Sequence, residues 1–216
     1  MKTIRIPSDE AFIALASEDL ASLGREKEGQ LHIALPGGRS AASVVKALLT
    51  LPALLKRITL YLVDERLEGE RNLETLQRAG LAEALERSWM HNEQIRIPAI
   101  GEPLSSEPFD RVYLGIGEDG HFASLFPGSF PTESREQVIQ VTDSPKPPKR
   151  RATLSYSGFE TLARGRKVFL LFFGESKREP LTRLLGGNEG PHTLPCAFFT
   201  GADFDVTVVT DLEEPP

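Results

Sequence analysis

Two hydrophobic rhythms alternate along the chain. Short, nearly unbroken apolar runs predict buried strands over residues 4–6, 31–35, 58–63, 95–100, 138–141, 152–155, 168–173 and 205–210. A further strand runs from Arg111 through Val112 and Tyr113 into Gly115. Between these runs, apolar residues recur at helical spacing. Phe12, Leu15, Ala16 and Leu20 follow a Ser8 N-cap, with a polar turn at residues 24–29 closing that helix. Val44, Val45, Leu48 and Leu49 lie in a helix over 41–51, and Leu73, Leu76, Leu81 and Leu85 mark one over 73–85. A short helix is expected within 156–163, and Leu181, Leu184 and Leu185 belong to another that Gly186 and Gly187 stop. Strands that alternate with helices predict an α/β protein, a three-layer α/β/α sandwich with a largely parallel central sheet, formed by residues 1–216 as a single domain.

Composition narrows the classes without changing that picture. The chain has 216 residues, 40% hydrophobic and 26% charged, enough to bury a core without metals or disulfides. No apolar run is as long as a membrane span, and residues 1–7 lack the apolar stretch of a secretory signal, so a cytoplasmic protein is expected. A net charge of −6 argues against a nucleic-acid partner but leaves room for a local basic pocket that takes an anionic small molecule. Cys196 is the only cysteine and reads as a packing residue. His32, His91, His121 and His192 lie far apart and form no zinc-type spacing, and there is no nucleophile elbow, so neither a metal nor a cofactor is expected.

The chemistry concentrates in residues 114–128, LGIGEDGHFASLFPG. Gly115, Gly117 and Gly120 satisfy G-x-G-x-x-G, yet Asp119 and His121 crowd the place a pyrophosphate would need, and the stretch lies mid-chain. The plainer alternative is a glycine-rich turn into a helix opened by Phe122, with a surface histidine. A third reading takes Asp119, Gly120 and His121 together as an acid that orients a base, a residue without a side chain to obstruct a substrate, and the base itself.

The segment from Gly117 to Gly128 resembles the signature of the 6-phosphogluconolactonase family, and the run Ser124-Leu125-Phe126-Pro127-Gly128 is more like that branch than the related glucosamine-6-phosphate deaminases. Other stretches agree in order. Pro36-Gly37-Gly38-Arg39-Ser40 is similar to the family's Gly-Gly loop, where close backbone approach and a helix N-terminus suit a phosphate. Asp64-Glu65-Arg66 resembles its D-E-R motif, although the loop that follows is shorter here and reaches Asn72 after only Leu67 to Arg71. The proline-rich stretch before Arg151 and the Gly174-Glu175-Ser176-Lys177 run also resemble family segments, with Lys146 and Arg150 equally readable as solvated charge.

The resemblance implies hydrolysis of 6-phospho-D-glucono-1,5-lactone in the oxidative pentose phosphate pathway, with His121 as general base and Asp64 and Asp119 beside it. It implies a substrate site made of Gly37, Gly38, Arg39, Ser40, Arg66, Gly117, Gly120, Arg151 and Lys177. The partner is then a small sugar-phosphate lactone, and the protein a monomer or small homo-oligomer. Two alternatives stand beside this one. A sugar-phosphate isomerase or deaminase uses a similar fold, and the short loop after Arg66 fits a non-catalytic sugar-phosphate-binding domain.

Overall fold

The most hydrophobic strand shows why the sheet is central. Along β9 (Lys167–Phe172), Val168, Leu170 and Phe172 enter one buried cluster while Phe169 and Leu171 enter another. Side chains alternate across a strand, so a run that is apolar at every position must be covered on both faces. The computed structural model describes residues 1–132, 134–201 and 203–213, and at Arg39 the main chain alone. In it β9 is one of seven strands in a wholly parallel sheet. The others are β1 (Lys2–Arg5), β2 (Leu31–Leu35), β3 (Ile58–Leu62), β5 (Ile95–Arg96), β6 (Arg111–Gly115) and β10 (Asp205–Thr210). The order is β1-β10-β9-β6-β2-β3-β5.

Helices cover both faces, as the alternation predicts. On one side lie α1 (Asp9–Glu26) and α2 (Arg39–Leu49), with the short α3 (Pro52–Leu55) beside them. Ser8 caps α1 by accepting a hydrogen bond from the Ala11 N–H at 3.3 Å. Phe12, Ala16, Leu20 and Leu23 form its buried stripe. On the other side lie α6 (Tyr156–Ala163), capped by Ser155, and α7 (Arg178–Gly186), which ends at left-handed Gly187. Buried Cys196 packs in this second cluster, and burial pushes its thiol up to about 12, so it is inert packing as expected. His32 likewise serves structure: its Nδ1 and the Tyr61 hydroxyl share a hydrogen bond of 2.8 Å.

Four expectations change. Val63 ends the third predicted strand, and Asp64–Arg66 forms a separate strand, β4, in a small antiparallel sheet with β7 (Val138–Val141) and β8 (Arg151–Leu154). The predicted strand over 95–100 shrinks to Ile95–Arg96, with Pro98 unable to extend an edge ladder. The helix over 73–85 is broken into α4 (Asn72–Leu76) and α5 (Ala82–Glu86) by a wide turn at Gln77–Leu81. There Gly80 takes φ 124, and an added Cβ would sit 2.4 Å from Leu49. No helix follows His121. Phe122 and Leu125 pair in a tight turn, both fully buried, with Ala123 at φ 50. Pro127 disfavours helical backbone at Phe126, and the core takes up both apolar side chains instead. Among the described residues, no helix is long and apolar enough to cross a membrane.

Strand order then places the ligand crevice. From β2 the chain crosses to β3 on one side, and from β6 to neighbouring β9 on the other. The carboxyl ends of β2 and β6 therefore flank the point where the direction of winding reverses, the usual binding crevice of an open parallel sheet. The Gly37-Gly38 turn follows β2, and the His121 turn follows β6.

Candidate active site

A cleft of about 1040 Å³ opens at that crevice. Loops after β2, β3, β6, β9 and β10 all reach it, and His121, Asp64, Arg66, Arg151 and Lys177 lie on its wall with Gly37, Gly38, Ser40 and Gly117. Most of the residues expected from sequence thus converge, from positions as far apart as Gly37 and Lys177. Gly120 stands outside this lining. It turns the chain at φ 81 and packs where a Cβ would lie 2.3 Å from Leu194. The Arg39 side chain lies outside the described residues.

The His121 turn is closed on itself. Gly117 N–H donates to His121 O at 2.8 Å and Gly120 N–H to Gly117 O at 3.1 Å, so these two amides are engaged within the turn. The His121 ring packs against residue 117, where a Cβ would stand 2.0 Å from Cε1 and Nδ1; only glycine permits this. Its Nδ1 bonds the Asp119 carboxylate. Burial raises the Asp119 pKa, but the side-chain hydrogen bond and charge of His121, with backbone donors, outweigh that and hold it at about 2. An ionised carboxylate only accepts, so Nδ1 is the nitrogen that holds a proton toward Asp119, and in the neutral tautomer this selects, Nε2 carries the lone pair. Among the described residues no group bonds Nε2. Phe126 supports the ring with its centroid 4.7 Å away.

The small antiparallel sheet builds the opposite wall. Asp64 faces Thr153 and Arg66 faces Arg151 across the β4–β8 pair, so the period of two turns Asp64 and Arg66 to the cleft and Glu65 away from it. Asp64 is 4% exposed and accepts from the Ser124 hydroxyl at 2.8 Å. Arg66 donates through NH1 to Glu70 O at 3.1 Å, while its buried Nε has no partner among the described residues. Burial lowers the Arg151 pKa, which Asp64 opposes and Arg66 reinforces. Arg151 turns most of its guanidinium toward main-chain carbonyls of residues 146–148.

Three contributors escaped the sequence reading. Glu65, 2% exposed, accepts from the main-chain N–H groups of Arg66, Asn72 and Leu73 at 2.6, 2.7 and 3.0 Å, tying β4 to the start of α4. Asn72 donates to Asp64 O at 3.0 Å and lies so close to Gly37 that a Cβ there would meet it at 2.1 Å. It thereby locks the Gly-Gly turn to the Asp64 strand. Ser124 joins Asp64 to Arg151. Alternation along the D-E-R run was the available signal for Glu65; nothing local in sequence pairs Asn72 with Gly37.

Comparison with known proteins agrees with this geometry. Residues 8–208 match the family model described as glucosamine-6-phosphate isomerases/6-phosphogluconolactonase. The chain is 30% identical to the 6-phosphogluconolactonase of Mycobacterium tuberculosis over 226 aligned residues, covering 90% of each chain. It is 32% identical to the human GDH/6PGL endoplasmic bifunctional protein over 87% of its own length, spanning 26% of that longer protein. The fold is similar to that of the crystal structure of 6-phosphogluconolactonase from Thermotoga maritima, with a TM-score of 0.76 at 21% identity over 97% of this chain and 99% of the other. With the match spanning nearly its full length and the family's motifs gathered on one cleft, the chain belongs to the glucosamine-6-phosphate isomerase/6-phosphogluconolactonase family.

Proposed function

We propose that the chain hydrolyses 6-phospho-D-glucono-1,5-lactone to 6-phosphogluconate, the lactone-opening step of the oxidative pentose phosphate pathway. The observation that carries this reading is the Asp119–His121 pair, which leaves Nε2 as a base on the cleft. The name of the Mycobacterium tuberculosis relative supports the same substrate.

In this scheme Nε2 takes a proton from water as the water oxygen attacks the lactone carbonyl carbon. The tetrahedral intermediate then collapses with cleavage of the bond between that carbon and the ring oxygen. Nε2–H returns its proton to the departing oxygen, giving a hydroxyl and a carboxylic acid that ionises to solvent. One imidazole serves both transfers because it ends the cycle in its starting state. Asp119 holds the ring and stabilises the transient imidazolium, as an orienting carboxylate does. Asp64 accepts from a sugar hydroxyl through the oxygen that Ser124 leaves open. The phosphate lies against Gly37, Gly38 and Ser40 at the start of α2, where side-chain capping is absent, and takes charge from Arg66 and Lys177.

The test is turnover of the freshly made lactone at mildly acidic pH, where spontaneous opening is slow, alongside ammonia release from glucosamine 6-phosphate. Lactone hydrolysis well above background and no ammonia are expected. Ammonia without lactone opening would assign the deaminase branch, and 6-phosphogluconate binding with neither reaction would assign a binding domain.

A further inference from the structure

The proline-rich segment between β7 and β8, residues 142–150, brings one of its cations into the cleft on a fixed main chain. Arg151, 7% exposed, donates from Nε to Pro148 O at 3.0 Å and from NH2 to Lys146 O and Pro147 O at 3.1 Å each. The Ser144 hydroxyl donates to Lys146 O at 2.8 Å and accepts from Lys146 N–H at 3.2 Å. The guanidinium expected to bind phosphate is therefore largely committed to shaping this loop. What the loop presents to the cleft is Lys146, whose Nζ donates to Glu118 Oε1 at 2.9 Å.

That ion pair is built to exchange. Its side chains are 38% and 61% exposed, and a pair so open to water contributes little to stability. Glu118 belongs to the His121 turn outside the cleft's lining, and Lys146, which lines the cleft, reaches out to it from the opposite loop, so the pair joins the two loops. The hydrogen bond from Lys146, its charge and then that of Lys177 hold the Glu118 carboxyl below its ordinary range. Two ammonium groups thus act on one carboxylate. A phosphate or carboxylate bound within the cleft offers Lys146 a stronger charge-assisted hydrogen bond than a solvated glutamate does.

We propose that Lys146 is a further substrate-binding residue, held by Glu118 until the sugar phosphate binds and then transferred to one of its anionic oxygens. The inference rests on the substrate class named above. Glu118 is then a competitor for Lys146, so neutralising it strengthens binding, and does so only while Lys146 is present.

The experiment measures the affinity of 6-phosphogluconate by calorimetry and KM for the lactone in the native protein, Lys146→Ala, Lys146→Arg, Glu118→Gln and the double variant Glu118→Gln/Lys146→Ala. Matched circular dichroism and Tm establish that each is folded. Lys146→Ala is expected to weaken binding about tenfold or more, with Lys146→Arg recovering most of it. Glu118→Gln is expected to tighten binding several-fold, a gain that vanishes in the double variant relative to Lys146→Ala. Weaker binding in Glu118→Gln would make the pair a structural latch and overturn the proposal. A gain that persists without Lys146 would reduce Glu118 to simple repulsion and overturn it too. Normal native turnover with unchanged affinity in Lys146→Ala sinks the Lys146 assignment alone. The expected binding pattern without native turnover sinks the lactonase reading alone.

Discussion

At the scale of single residues, the site depends on which atoms are already engaged. Asp119 fixes the imidazole tautomer, and replacing it by Asn removes the ionised acceptor while keeping the shape. Asp119→Asn is expected to lower kcat by about 10²–10⁴-fold with KM little changed, measured by steady-state lactone hydrolysis. The same carboxyl makes a signed prediction for stability. Its pKa falls from an ordinary 3.8 to about 2 on folding, so its contribution is present above the higher value and lost as pH falls through the lower one. The Tm gap between native protein and Asp119→Asn should therefore be present above the higher value and close between the two; a gap unchanged at pH 2 would contradict the coupling. Gly117 is as exacting. A methyl group there would overlap the His121 ring, so Gly117→Ala is expected to displace the base and cost about 10²-fold in kcat, with Tm nearly native. At this scale the sequence was most readable: Asp119, Gly120 and His121 are adjacent, and their spacing alone suggested an oriented base. The loop-shaping task of Arg151 was not readable, because a guanidinium at a strand end looks the same whether it faces a phosphate or three carbonyls.

Between residue and fold, the element that organises the cleft is β4. Its three residues divide by the period of two, Asp64 and Arg66 toward the cleft and Glu65 toward α4. Glu65 satisfies N–H groups that the start of α4 would otherwise leave bare, and it does so from another element. Glu65→Ala is expected to lower stability by about 3 kcal/mol, measured by urea denaturation, with Glu65→Gln losing less because it keeps one acceptor oxygen. An Ala variant as stable as the native protein would contradict this anchoring role. Strands buried on both faces, such as β9, and the capped helix α1 were legible from periodicity because the pattern there extends over a whole element. The turn after His121 was not: four residues carry no periodicity, and burial of Phe122 and Leu125 decides their backbone. The two-part helix over 72–86 failed for a tertiary reason, the close approach of Gly80 to Leu49.

For the whole molecule, the parallel sheet matters because it brings loops far apart in sequence to one edge. The alternation of elements made that sheet legible, whereas β4 joins the antiparallel sheet by pairing with β8, more than eighty residues away, which no local pattern encodes. The switch point between β2 and β6 explains why a Gly-Gly turn and a histidine turn face each other across one cleft. This convergence makes His121 the proposed base of a lactone hydrolase. The most direct measurement is kcat for 6-phospho-D-glucono-1,5-lactone in His121→Ala, with 6-phosphogluconate affinity measured on the same preparation. The expected result is a kcat at least about 10²-fold below native with affinity within a few-fold of it. A variant that hydrolyses the lactone as fast as the native protein would show that the base lies elsewhere.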